Sequence, residues 1–212
     1  MENNFLSLIK TRRSVRAYKP QPVPSETLDA VLEAGTYAPT GGGRQSPTII
    51  AITDPKYRQE IARLNAEVMG NNTDPYYGAP VVILVLADGS ANTFVEDGSC
   101  VLENMMLAAH ALGLGTVWVH REREIFDSEK GKALLREWKL PETLRGVGAI
   151  ALRYPAQEAG QPAARKQTYI LRISSSCCPA HCVCAGHFVA RRTQMPTHNN
   201  MSVAHVGDLI WP

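Results

Sequence analysis

The 212-residue sequence predicts an α/β or α+β domain in which helices cover a central sheet, and three observations lead there. Helical apolar spacings and short β-branched runs intermix along residues 1–172 instead of segregating into blocks. The run from Val81 to Leu86 is apolar at every position, as expected for a strand covered on both faces. Apolar residues make up 44% of the chain, which at this length suffices for a sizeable core.

Taken in order, Asn3 to Lys10 suits a short helix with Phe5, Leu8 and Ile9 as its apolar stripe. A basic segment, T-R-R-S-V-R-A-Y-K-P, follows. The next helix is V-P-S-E-T-L-D-A-V-L-E-A-G, with Ser25 as candidate N-cap and Leu28, Val31, Leu32 and Gly35 on one face. Ala38 to Gly43 breaks it as a loop, and Thr48 to Thr53 is β-branched and strand-like. Asp54-Pro55 opens a helix that turns Ile61, Leu64 and Val68 inward and stops near Gly70. Val95 to Leu112 is a long helix, apolar at Val101, Leu102, Met105, Met106, Ala109 and Leu112, ending at Gly113 or Gly115. Thr116 to Val119 is a strand candidate, Ser128 to Trp138 an amphipathic helix, and Gly146 to Tyr154 a last buried strand.

Charge and segment lengths exclude several function classes. Twenty-two basic against 20 acidic side chains leave a net charge of +2, so no nucleic acid or other polyanion is the expected partner. The longest apolar run, Ala79 to Ala87, falls far short of the roughly 20 residues that cross a bilayer, so no membrane association is expected. The N-terminus has no basic leader before an apolar segment, which predicts a cytoplasmic protein.

Four segments could carry chemistry. Arg12, Arg13, Ser14 and Arg16 offer planar multi-donor recognition of a phosphate, or else a solvated basic face. Pro39-Thr40-Gly41-Gly42-Gly43-Arg44-Gln45 lets backbone approach a flat ligand, or is simply a flexible connector. It lacks the G-K-[ST] of a Walker loop. Gly113-Leu114-Gly115 follows a helix and precedes a strand, the reverse of a dinucleotide fingerprint. Arg165-Lys166 reads alone as surface charge. Cys100 is expected to be a buried, inert thiol, His110 to sit on the same helix at its surface or packed, and His120 to lie just past a strand end. With no triad, metal box or nucleotide fingerprint in the body, a bound organic cofactor would carry any chemistry.

In their joint order, these segments resemble the flavin-dependent nitroreductase family over about residues 3 to 172. The matching parts are R-R-S-V-R-A-Y after the first helix, A-P-T-G-G-G-R-Q-S-P after the second, the long helix ending A-L-G-L-G-T-V-W-V, and A-R-K late in the chain. The resemblance implies an α+β fold of three-layer α/β/α type, with a mostly antiparallel central sheet flanked by helices. It also implies a homodimer with FMN at the interface, NADH or NADPH as co-substrate, and a small-molecule electron acceptor such as a nitroaromatic or a quinone. By the same resemblance Arg12 and Ser14, with Arg13 beside them, would bind phosphate and ribityl oxygens. Arg16 would face the pyrimidine edge. Pro39, Thr40, Gly41, Gly42, Gly43 and Gln45 would lie along the ring, Trp118, Val119 and His120 near its reactive nitrogen, and Arg165 with Lys166 on the phosphate. His120 is the side chain expected to touch substrate, and no obligatory acid or base is named. The same fold also supports flavin reduction, pteridine reduction and reductive dehalogenation.

Two departures stand out. Members of the family usually have asparagine where Gly43 stands. After residue 172 the family pattern ends: residues 173–212 hold four of the five cysteines, four of the six histidines and only three charged residues. This tail is expected to be disordered and not a selected fold. The rival reading, a zinc knuckle built on Cys178, His181, Cys182, Cys184 and His187, requires a C-x3-C-x-C spacing that suits no common zinc module.

Overall fold

A computed structural model describes residues 4–158 and 160–173. The expectations for the Cys/His-rich tail therefore lie outside the described residues. One compact unit spans Met1–Ala164 and a second begins at Arg165.

The first unit runs α1 (Asn4–Thr11), α2 (Ser25–Thr36), β1 (Pro47–Ile52), α3 (Pro55–Met69), β2 (Val81–Asp88), α4 (Phe94–Ala111), β3 (Gly115–Val119), α5 (Glu122–Asp127), α6 (Glu129–Glu137) and β4 (Leu144–Arg153). The strands form one sheet in the order β1-β2-β4-β3, every neighbouring pair antiparallel, with Ile50 opposite Leu84, Ile83 opposite Ile150 and Val117 opposite Ala151. The class is thus α+β.

Strand periodicity explains the layering. Along β2, Ile83 and Val85 face the cluster that includes Leu28, Val31, Leu102 and Met105 from α2 and α4. Val82, Leu84 and Leu86 face the opposite cluster, with Ile61, Leu64, Phe126 and Leu135 from α3, α5 and α6. Burying each such side chain contributes about 1.5–3 kcal/mol, and β2 is covered on both faces along nearly its whole length. Close approach fixes two glycines: a Cβ on Gly98 would sit 2.6 Å from Val147, and one on Gly146 would sit 2.2 Å from the Glu122 backbone.

Several sequence expectations need correction. Ser25 is the first helical residue and not the cap; Pro24, in extended conformation, holds that place, and its carbonyl accepts from Leu28 N at 3.0 Å. At α3 the cap is Asp54, whose Oδ1 accepts from Lys56 N at 2.8 Å, and Gly70 closes the helix at φ 72°. Val68, in the last turn of α3, and Leu112, the C-cap residue of α4, are exposed. On α1, Leu8 is half-buried, while Phe5, Leu6 and Ile9 are exposed. Cys100 is half-buried, not fully buried. The short helix α5 was not anticipated.

Candidate functional site

The basic segment leaves α1 and runs alongside β3. Val15 N donates to Thr116 O at 2.8 Å, Ser14 bridges Thr116, and Ala156 N donates to Ala17 O at 2.9 Å. Val15 fits over Gly115, where a Cβ would come within 2.8 Å of its side chain. The Tyr18 hydroxyl donates to Val15 O at 2.8 Å and locks the segment down; its own ionisation is pushed up by burial and then by Tyr77. An extended chain so anchored leaves Ser14 and Arg16 exposed on one face, and the Arg16 guanidinium stands 5.8 Å over the Tyr77 ring.

Arg12 and Arg13 line a cavity of about 190 Å³ with His110, Gly113, Thr116 and Glu158. Arg13 Nη1 donates to Lys10 O at 2.7 Å and Arg12 O at 2.6 Å. Arg12 Nη1 and Arg13 Nε are buried and have no hydrogen-bond partner among the described residues. The cavity is smaller than the 300 Å³ or more that encloses a drug-sized ligand, but a single anionic group is small enough to enter it.

The glycine loop is built at the other end of α4. Gly41 N donates to Asp97 Oδ1 at 2.8 Å, Ser46 Oγ donates to Asp97 Oδ2 at 2.7 Å and Thr93 Oγ1 to the same oxygen at 3.3 Å. Burial raises the Asp97 carboxyl, but these hydrogen bonds outweigh it and hold the group below the usual carboxylate value. Gly41 has no room for a side chain, since a Cβ would meet Thr93 Oγ1 at 2.3 Å. Gly42, Gly43 and Gln45 take φ of 61°, 68° and 51°. A cleft of about 200 Å³ lies beside the loop, lined by Thr40, Gln45, Pro47 and Val101 among others. Pro39 is exposed. Asp97 was missed from the sequence because it lies 56 residues from its loop, within a helix whose acidic first turn looks like ordinary capping charge.

A third polar cluster supports the turn after β3. Trp118 is half-buried, Val119 buried and His120 exposed. Asn65 Nδ2 donates to His120 O at 2.9 Å and to Glu122 Oε1 at 3.1 Å, the Tyr76 hydroxyl donates to Glu122 Oε1 at 2.9 Å, and Arg121 Nε donates to Asn65 Oδ1 at 2.9 Å. This network holds Arg121 at φ 89°. Glu122 is fully buried, and its Oε2 has no partner among the described residues. Burial pushes its carboxyl up to about 7 despite the bonds from Tyr76 and Asn65 and the nearby Arg121 charge.

The sequence-derived site residues therefore fall into separate groups. Arg12, Arg13, Ser14 and Arg16 gather along β3 with Trp118 to His120. Pro39 to Gln45 gather near Asp97, at the far end of α4; from Asp97 to His110 the helix advances roughly 20 Å. Arg165 and Lys166 are exposed residues of the second unit, with Lys166 Nζ 5.3 Å from the Tyr169 ring. Among the described residues no three His, Cys, Asp or Glu side chains are placed to hold a metal, and no helix is long and apolar enough to cross a membrane.

The sequence pattern of the nitroreductase family matches residues 9–152, which contain both groups joined by α4. The chain belongs to that family. This nitroreductase is 31% identical over 166 residues to a Methanothermobacter thermautotrophicus protein assigned as an NADH dehydrogenase/NAD(P)H nitroreductase, covering 74% of the chain and 80% of the relative. It is 25% identical to the FMN reductase [NAD(P)H] of Bacillus subtilis, over 75% of the chain and 69% of the relative. The crystal structure of a Bacteroides fragilis nitroreductase with bound FMN superposes with a TM-score of 0.74 at 29% identity, covering 81% of the chain and all of that structure.

Proposed function

We propose that the chain is an FMN-dependent oxidoreductase passing hydride from NADH or NADPH to electron-poor acceptors, such as nitroaromatics or quinones, in a ping-pong cycle. The observation that carries this reading is the pair of buried guanidinium nitrogens, Arg12 Nη1 and Arg13 Nε, left without a partner among the described residues on a nitroreductase fold. A buried donor without an acceptor costs about 1–3 kcal/mol, and more when charged, so the cluster is incomplete until an anion enters. The residues present fit FMN. Arg12 and Arg13 would hold its phosphate, Ser14 its ribityl chain, and Arg16 would set positive charge where reduction leaves negative charge. Pro39 to Gln45 would lie along the ring. When bound, FMN supplies the two-electron chemistry, accepting hydride and passing it on. The protein contributes position and electrostatics: Asn65 turns the His120 carbonyl inward, and His120 itself is left exposed to meet substrate. Protons would come from solvent.

We further propose a homodimer with FMN at its interface. The exposed apolar Leu6, Ile9 and Leu112 support it, as does the division of the site residues between the two ends of α4, which a second copy would reunite. The test is direct. Purified protein should be yellow and should sustain NADH or NADPH oxidation with menadione or nitrofurazone; colourless protein would remove the cofactor reading. Yellow protein without sustained turnover would leave only a flavin-binding module.

A further inference from the structure

His110 has no part in the chemistry described above, yet it shares the cavity of Arg12 and Arg13. Its Nε2 lies 2.9 Å from Thr11 Oγ1. That hydroxyl is also 2.9 Å from Ser7 O and 3.2 Å from Leu8 O, both acceptors, so its hydrogen is committed to α1 and it accepts from Nε2–H. The neutral ring therefore carries its proton on Nε2, which leaves Nδ1 as the nitrogen that can take up another. Among the described residues, the charged groups lining the cavity are Arg12 and Arg13, from the segment after α1, and Glu158, from the segment after β4. With no anion present, burial and then the charges of Arg12 and Arg13 hold His110 below its ordinary value. A phosphate dianion between the guanidinium groups would cancel that repulsion and replace it with attraction.

We propose that His110 is a third phosphate-facing residue of this cavity, and that a phosphomonoester binding there is accompanied by proton uptake from solvent on His110 Nδ1. The proposal rests on the reading of the cavity as the phosphate site. The proton balance is simple near pH 7.5: the phosphate arrives as a dianion, its second ionisation lying at about 6, so it releases nothing and His110 gains the proton. Because loading raises the affinity of His110 for its proton, FMN binds more tightly as pH falls from about 8 to 6.5.

The experiment is calorimetric titration of flavin-depleted full-length protein with FMN or riboflavin near pH 7.5, in buffers of different ionisation enthalpy. FMN should draw a measurable fraction of a proton from the buffer, whereas riboflavin, which lacks the phosphate, should draw none. His110→Gln should abolish the uptake and flatten the pH dependence of FMN affinity. His110→Lys, with a permanent charge, should bind FMN without proton uptake and so guard against a folding defect in the first variant. Equal proton uptake by His110→Gln and wild type would overturn the proposal. Arg12→Ala separates the two failures: if it binds FMN as tightly as wild type, the phosphate reading itself is wrong, and if it weakens FMN while His110→Gln leaves the proton count unchanged, only the role of His110 is.

Discussion

The two ends of α4 hold opposite kinds of polar chemistry. At the first turn Asp97 receives hydrogen bonds from Gly41 N, Ser46 Oγ and Thr93 Oγ1, so every group there has its partner within the chain. At the last turn, His110 lines a cavity with Arg12 and Arg13, whose Nη1 and Nε atoms respectively are buried without a hydrogen-bond partner among the described residues. A polar cluster that satisfies itself fixes a loop, and one left cationic and unsatisfied invites an anion. Mutations should divide accordingly, those at the first end acting on stability and those at the second on binding. The largest effect is expected from Asp97→Ala, which strands three donors at once and should cost about 4 kcal/mol in urea denaturation. Asp97→Asn should recover more than half of that, since its Oδ1 still accepts from Gly41 N. A loss below about 1 kcal/mol would mean that Asp97 does not hold the loop.

The same contrast explains what was legible in the sequence. Cores and elements with strong periodicity could be read directly, β2 and the buried face of α4 above all, because burial on a regular element imposes a regular pattern. The helix α5 could not, because its Glu-Arg-Glu-Ile-Phe-Asp sequence buries Ile125, Phe126 and, unusually, a carboxylate. The guanidinium cluster was visible because its residues are consecutive. The Asp97 and Glu122 clusters were not, because each is assembled from side chains tens of residues apart, and no local spacing records that. The apolar residues of α1 have a helical period, and their pattern gave the helix Asn4–Thr11, on which Leu8 is half-buried.

Glu122 stands between the two extremes, with one carboxylate oxygen doubly bonded into its network and the other without a partner among the described residues. Its raised value means that the folded protein keeps a proton that the unfolded chain releases near the ordinary 4.5. The associated stability is fully present below that value and is lost as pH rises to about 7, by an amount on the order of 3 kcal/mol. Glu122→Gln stays neutral throughout and its amide can still accept from Tyr76 and Asn65. Chemical denaturation across this range should show wild type losing stability with rising pH while the variant stays level. Parallel curves would show that the cluster is answered in solution by partners of its own, as at Asp97.

At the unsatisfied end the expected effect shifts from stability to binding. Arg12→Ala removes a half-buried side chain whose Nη1 is buried without a partner among the described residues, so the flavin-free protein should unfold at an unchanged or slightly higher denaturant concentration. FMN affinity should fall by about 1.5–3 kcal/mol, roughly 10- to 150-fold, as one charge-assisted contact is lost. Fluorescence titration with FMN measures it. Stability lost without affinity lost would reverse the assignment and make the arginine a structural residue like Asp97.

The smallest effect tests whether the satisfied end also meets the cofactor. Gly43 has φ 68°, and a Cβ there would meet nothing within 4 Å, so its site is open although its backbone is left-handed. Asparagine tolerates that conformation better than other side chains, and Gly43→Asn should change stability by no more than about 0.5 kcal/mol. On Gly41, only two residues away, even alanine should be disruptive, because its Cβ would strike Thr93 Oγ1. If the loop lies along the flavin ring, the added amide supplies a hydrogen-bonding group beside it, and Gly43→Asn should retain FMN more tightly through gel filtration than wild type. If retention is the same, the glycine loop stands away from the cofactor, and the division of labour along α4 is complete, with all of the binding at the arginine end.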